Sequence, residues 1–218
     1  MFKTSLPVVG LLLLTAILPG CRIVKNNPGG GNAGQVAASG GQADAKARVD
    51  GMWDQKLMPY AQAKAAPYPD LVKAIAQAPD QAVHDHGFRA ATGGAKAALY
   101  TRIDGVIVGG EFKSRAGTIE VDVDGDGKPD VTVQIGPIIR SPVLRDSLDF
   151  ISFDSFSNQI DYADFSKALN AHVRDVVLKG LPRDGLIGRH VSLVGAFFMG
   201  DAHPVVTPVL LTLGSKTP

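Results

Sequence analysis

Between Gly117 and Arg145 the chain reads GTIEVDVDGDGKPDVTVQIGPIIRSPVLR, and no other stretch narrows the choice of fold as much. Ile119, Val121 and Val123 alternate with Thr118, Glu120 and Asp122, and Val131, Val133 and Ile135 alternate with Thr132 and Gln134. A strict period of two marks a strand with one face on a core and the other toward water. The short aspartate- and glycine-rich link between the two runs pairs them as an antiparallel hairpin. A chain that must bury one face of such a pair needs more strands, or helices, to cover it.

The flanking sequence supplies both. Leu99 to Gly110, LYTRIDGVIVGG, reads as a long strand bent at Gly105, since glycine inside a strand marks a bulge or a close approach. VSLVGAFF from Val191 and VVTPVLLTL from Val205 give two more strands joined by a turn at Gly200-Asp201, with Pro208 marking the last as an edge or a bulge. Three strands, a helical section and two strands is the order of an OB-type barrel. The expected fold class is α+β, an OB-like antiparallel β-barrel with a helical subdomain; an unrelated α+β sandwich has the same strand count.

The helical parts are two. Residues 46–96 form a helical lobe in which Val49, Met52, Trp53 and Leu57 make a stripe; Pro69 and Pro79 each start a short helix, the first carrying Leu71, Val72 and Ile75, the second ending at Gly87. Within the barrel region, 97–218, a helical insertion spans about 141–180. Ser141-Pro142 opens a short turn, Phe150, Ile151, Phe153 and Phe156 form an apolar cluster, and Asp161 to Lys179 carries Tyr162, Phe165, Leu169, Val173 and Val176 at three- and four-residue steps before Gly180.

The first twenty residues are an address. Lys3, the apolar run Leu6 to Leu18 and Leu18-Pro-Gly-Cys21 have the parts of a signal peptide, too short to span a membrane. The L-x-G-C ending resembles a bacterial lipobox, in which Cys21 is lipidated and becomes the first residue; otherwise Cys21 is a stray thiol. It is the only cysteine, so no disulfide can form within one chain. Arg22 in place of aspartate after it favours the outer membrane. An acylated cysteine anchors a soluble domain. Residues 21–45 then read as a flexible tether, Gly- and Ala-rich with Val36 as its one large apolar residue after Asn26. A coil of about twenty such residues spans roughly 25 Å.

Removing Lys3 with the signal takes the formal charge from +1 to zero, and aromatics make up 6% of the chain. That balance, without a basic run, argues against nucleic acid and against a polybasic membrane patch.

The hairpin link itself, Asp122-Val-Asp124-Gly-Asp126-Gly127-Lys128-Pro-Asp130, carries chemistry. Four carboxylates, a glycine for a sharp turn and the Lys128 carbonyl suit a hard cation that needs six or more oxygens, Ca²⁺. The position of an EF-hand's last glutamate is occupied by Val133, inside a strand, so this is no EF-hand. D-x-D-x-D-G-x-x-D between strands resembles the calcium loops of integrin-type β-propellers, though a single copy excludes a propeller. The simpler reading is a hairpin turn whose aspartates and glycines supply the backbone conformations. Four carboxylates with only Lys128 to offset them favour a structural Ca²⁺, held at about 10⁻⁴ to 10⁻³ M.

Beyond the hairpin lie Arg140, Arg145 and Asp146, then Asn158 and Gln159. Arginine forks suit carboxylates or sugar hydroxyls, and equally an internal Arg-Asp pair. His84 and His86 do not share a helix face, and His172, His190 and His203 have no partners at ligand spacing. No nucleophile elbow, zinc motif or phosphate loop is present, so the expectation is a protein that is not an enzyme.

Cys21-Arg-Ile-Val24, Gln134-Ile-Gly-Pro137 with Arg140, Leu144-Arg-Asp146, Phe153 and Phe156 ahead of Asn158-Gln159, Leu169-Asn170, Gly195-Ala-Phe197 and Thr207-Pro-Val209 resemble an uncharacterised family of predicted bacterial periplasmic lipoproteins. The resemblance implies a β-barrel with a helical subdomain, a frequent setting beside sugar ABC importers and no established catalytic residues. The resulting expectation is a lipid-anchored periplasmic accessory protein that binds a partner, such as importer components, or a small carbohydrate-like ligand. The alternative is a structural envelope lipoprotein braced by calcium.

Overall fold

A computed structural model describes residues 33–91, 94–201 and 203–216, with side chains from residue 41 onward. The signal peptide, Cys21 and the first part of the tether lie outside the described residues. The chain runs α1 (Ala33–Met52), a π-helical turn Trp53–Leu57, α2 (Met58–Lys64), β1 (Ala66–Pro67), α3 (Tyr68–Gln77), α4 (Pro79–His86), β2 (Gly87–Phe88), β3 (Ala98–Glu111), β4 (Thr118–Asp122), β5 (Val131–Gln134), α5 (Val143–Asp146), α6 (Gln159–His172), a second π-helical turn Val173–Val177, β6 (Arg189–Phe198) and β7 (Val205–Lys216).

Five strands close on themselves in the order β3-β4-β5-β7-β6 and back to β3, with β1 and β2 added to β3. The expected hairpin is β4–β5, antiparallel from Thr118 opposite Gln134 to Val121 opposite Val131. The length of β3 closes the ring. Its first part, Ala98 to Val106, pairs with β6, and its second, Val106 to Glu111, pairs with β4. The strand changes partner beside Gly105, where an added Cβ would lie 2.2 Å from the Asp122 carbonyl oxygen. Close backbone crossing at that point needs a residue without a side chain.

Within the ring one pairing departs from the expected antiparallel sheet: β5 and β7 run parallel, Thr132 and Val133 opposite Val205 and Val206; outside it the short β1 also lies parallel to β3. Parallel neighbours need a long crossover, here the whole α5–α6–β6 section. β7 has partners on both sides, so Pro208 does not sit on an edge; it faces Gly195 where the β6–β7 register shifts, the bulge of the two options.

The helices share one core with the sheet. Val49, Trp53, Leu57 and Leu71 are buried in the same cluster as Ile103, Ile107, Val121, Val133, Phe165 and Leu169. The alternating residues of β4 and β5 point into it, as the period of two requires. Inside it the Tyr100 and Ser147 hydroxyls lie 2.7 Å apart, and Ser147 also donates to the Leu144 carbonyl at 2.9 Å, so two buried hydroxyls are satisfied together.

Three expectations are corrected. The tether does not stay coil to residue 45, because α1 begins at Ala33. Its alanines favour a helix, and its docking against α6 outweighs its glycines: Ala45 is buried, and an added Cβ at Gly41 would lie 3.5 Å from Asp161 Oδ1 on α6. Val72 and Val176, assigned to apolar faces, are exposed. For Val176 the cause is the π-helical turn, which widens the helix after Val173 and rotates later residues off the buried stripe. Phe150 and Phe153 of the aromatic cluster are also part-exposed, at 39% and 45%.

Candidate functional site

At the β4–β5 turn the carboxylates are ordered by the backbone. Asp122, which ends β4 and is buried, accepts from Gly125 N at 2.7 Å through one oxygen and from Gly127 N at 2.8 Å through the other. Both glycines have positive φ, +84° and +83°, the left-handed conformation that lets the chain wrap its amides around one carboxylate. Asp130 Oδ2 accepts from Val123 N at 2.7 Å and Asp124 N at 3.3 Å. Tyr68, from α3, donates to the Asp130 carbonyl at 3.2 Å and ties the far end of the loop to the helices.

Asp122, Asp124 and Asp130 each place one oxygen within 4.8 Å of the other two. Oxygens bound to one Ca²⁺ at 2.3–2.6 Å can be at most about 5 Å apart, so the three fit a single ion. The expected set of five is smaller by one carboxylate. Asp126 is turned away, its Oδ1 accepting from Lys128 N at 2.8 Å and its Oδ2 lying 3.3 Å from Lys128 Nζ. Local pairing with the one nearby cation outcompetes convergence on the other three.

Arg145 and Asp146 form the internal pair weighed above, Nε to Oδ1 at 2.7 Å. The Arg145 guanidinium also lies over the Tyr162 ring, 4.0 Å from its centroid, a cation–π contact that fixes both side chains. Burial raises the Tyr162 phenol above its ordinary pKa; Arg145 opposes the rise and the Asp146 carboxylate adds to it. The phenol therefore stays a hydrogen-bond donor at neutral pH.

Arg145 stands between two concavities. On one side is a cavity of about 720 Å³ lined by Asp146, Asp149 and Asp154 together with Phe88, Phe153 and Tyr162. On the other is a groove of about 470 Å³ between the segment 137–145 and α6, lined by Arg140, Arg145, Lys167, Asn170 and Arg174. Arg140 is exposed, and among the described residues no ion pair holds it.

Asn158 and Gln159 do not join this site. Asn158 is the N-cap of α6, accepting from Ile160 N at 2.8 Å and Asp161 N at 3.0 Å, and Gln159 is the first residue of the helix, exposed. Asparagine ahead of a helix is a capping residue by its chemistry, and the cap takes its oxygen out of use. Sequence reading missed Asp149 and Tyr162 as cavity residues and Lys167 and Arg174 as groove residues. Lys167, Asn170 and Arg174 follow at steps of three and four, which places them on one helix face; Asp149 carried no such signal.

Two of the histidines, His172 and His190, have carboxylate partners far along the chain, whereas His84 pairs with the adjacent Asp85. His172 Nδ1 lies 3.1 Å from Asp50 and its ring stacks on Trp53 at 4.1 Å, while His190 Nε2 lies 2.9 Å from Asp104. Hydrogen bonds from Lys46 above all, and then from His172, hold the Asp50 carboxyl below its usual range. These contacts brace α1 against α6 and β6 against β3.

Among the described residues no helix is long and apolar enough to cross a membrane. No curated protein matches the chain. Among solved structures, an OB-fold protein from Thermotoga maritima superposes with a TM-score of 0.59 at 16% identity, over 78% of this chain and 97% of that one. At that identity the likeness shows the fold alone, and it agrees with the five-strand order of the ring. The family model "Predicted periplasmic lipoprotein (DUF2291)" matches residues 11–212, a span that includes Cys21, the aspartate loop and both concavities. The chain belongs to this family of predicted periplasmic lipoproteins.

Proposed function

We propose that the protein is anchored through a lipid on Cys21, at the outer membrane in view of Arg22, and binds a small carbohydrate-like ligand in the cavity beside Arg145 as an accessory to a sugar importer. It acts as a binder rather than an enzyme. The observation that carries this reading is the make-up of the cavity. Sugars present flat C–H faces and a rim of hydroxyls. The rings of Phe153 and Tyr162 suit the faces; Asp146, Asp149 and Asp154 accept from hydroxyls, and Arg145 donates to them. The volume, about 720 Å³, falls within the range for small-molecule sites. The importer role rests on the family resemblance.

The test is calorimetric titration of the full chain in neutral detergent with a panel of mono- and disaccharides. Asp149→Ala and Tyr162→Ala are each expected to weaken the best ligand by about tenfold, the loss of one or two good polar or stacking contacts. A panel with no binder at millimolar concentration would sink the reading. Capture of importer components with the anchored protein tests the partner separately.

A second reading, a Ca²⁺-braced envelope protein, is favoured by one observation, the convergence of Asp122, Asp124 and Asp130. With a dissociation constant of about 10⁻⁴ to 10⁻³ M, 10 mM Ca²⁺ would stabilise the fold by about 1.4 to 2.7 kcal/mol. For a chain of this size that is a rise in Tm of about 3 to 10 °C. A melt unchanged between chelator and 10 mM Ca²⁺ removes calcium from the account.

A further inference from the structure

The groove on the other side of Arg145 has the opposite character to the sugar-like cavity. Its walls carry Arg140, Arg145, Lys167 and Arg174, and among the described residues no carboxylate lines it. The chain as a whole is nearly neutral, at +1, so the four cationic side chains lining one groove are a local feature. Three of these four cations have a carboxylate partner. Asp146 holds Arg145 at 2.7 Å, Asp164 holds Lys167 at 2.8 Å, and Asp175 takes Arg174 through both Nε and Nη2 at 2.7 Å; Lys167 and Arg174 line the neighbouring hollow between α1 and α6 as well, together with Asp164 and Asp175. These pairs leave two of the three ammonium protons of Lys167 and the Nη1 group of Arg174 without a partner among the described residues.

The site is also held in shape. Asn170, in the centre of the α6 face, donates to the Ile139 carbonyl at 3.2 Å and the Ser141 carbonyl at 3.1 Å, clamping the backbone on both sides of Arg140. Arg145 is fixed by Asp146 and Tyr162. Ala163 and Ala171 keep the helix wall low between the charged side chains. A rigid rear cation and three exposed ones, Arg140, Lys167 and Arg174, line an open space wide enough for a small molecule, and of the four Arg140 alone has no ion-pair partner among the described residues. Arginine's planar fork matches two oxygens of a phosphate or carboxylate, and pre-organised donors lower the cost of ordering on binding.

We infer that this groove is a binding site for a phosphate- or carboxylate-bearing ligand, held by Arg140, Arg145, Lys167 and Arg174. It is separate from the sugar-like cavity, and either can fail alone: Asp149→Ala is expected to leave anion binding unchanged.

The experiment is calorimetry on the full chain in neutral detergent, with inorganic phosphate, glycerol 3-phosphate and citrate as probes, and with micelles doped with phosphatidylglycerol against phosphatidylcholine. At least one anionic probe is expected to bind, and the Arg140→Glu/Arg174→Glu variant to weaken it by about tenfold or more. Both positions are exposed, so the variant should fold, which circular dichroism checks. Lys73→Glu, exposed on α3 outside the groove, is expected to bind as the parent does. Binding of the soluble phosphates assigns a free ligand, and binding of phosphatidylglycerol alone assigns a headgroup; both support the site. No anionic binding, or equal binding by the double variant, overturns it.

Discussion

Gly105→Ala is expected to destabilise the protein by about 3 kcal/mol or more, lowering Tm by about 6 to 12 °C. The new methyl carbon would stand 2.2 Å from the Asp122 carbonyl oxygen and 2.9 Å from Val121 Cγ1. The first of these neighbours is backbone and cannot rotate away. It is also the end of β4, so relief requires moving either the hairpin or the point where β3 passes from β6 to β4. Moving either opens the ring of strands. Overpacking against flexible side chains usually costs less, because rotamers can adjust. Gly51→Ala is the matched control. Gly51 lies in α1 with nothing within 4 Å of an added Cβ. There the same methyl should stabilise by about 0.5 to 1 kcal/mol through helix propensity. Thermal melts followed by circular dichroism would show the two changes with opposite signs. Equal, small shifts at both positions would mean that β3 has slack at its crossing.

The same residue marks how far the sequence could be read. The alternation in β4 and β5, the bend at Gly105 and the proline at the β6–β7 irregularity are local signals, and each is carried by a few consecutive residues. From them the order of strands follows, and with it the OB-type arrangement shared with the Thermotoga maritima protein. Other features depend on contacts across long stretches of chain. The helix from Ala33 is rich in glycine, and its stability comes from packing on α6, more than a hundred residues later. His172 seemed alone because Asp50 and Trp53 lie on α1 and the turn that follows it. The sequence placed Arg145 next to Asp146 but held no sign of Tyr162 beneath the guanidinium.

The site shows the same division. The aspartate loop was legible because its spacing is itself the geometry, down to the two glycines with positive φ. Which carboxylates converge was not, since the preference of Asp126 for Lys128 is settled only when the turn closes. Asn158 was misassigned for a related reason. A polar residue between an aromatic cluster and a helix can serve a ligand or a cap, and only the start of the helix, at Gln159, decides.

Asp122→Ala should be the second most damaging change, at about 2 to 4 kcal/mol, because it leaves the Gly125 and Gly127 amides without their acceptor beside a buried strand end. Hydrogen bonds to a charged group are worth about 1.5 to 3 kcal/mol each, and part of the loss returns if water reaches the loop. Asp122→Asn separates the turn from the ion. Its amide oxygen can still accept from one glycine, so about half of the loss should be recovered in chelator. Its charge is gone, so any rise in Tm on adding Ca²⁺ should shrink with it. Asp126→Asn should leave the calcium response in place, since that carboxylate faces Lys128 and lies outside the converging three. Melts of the three variants with and without Ca²⁺ read all of this. If Asp126→Asn abolished the calcium response as fully as Asp122→Asn, the three-carboxylate site would be wrong, and the loop would bind its ion only after Asp126 swings away from Lys128.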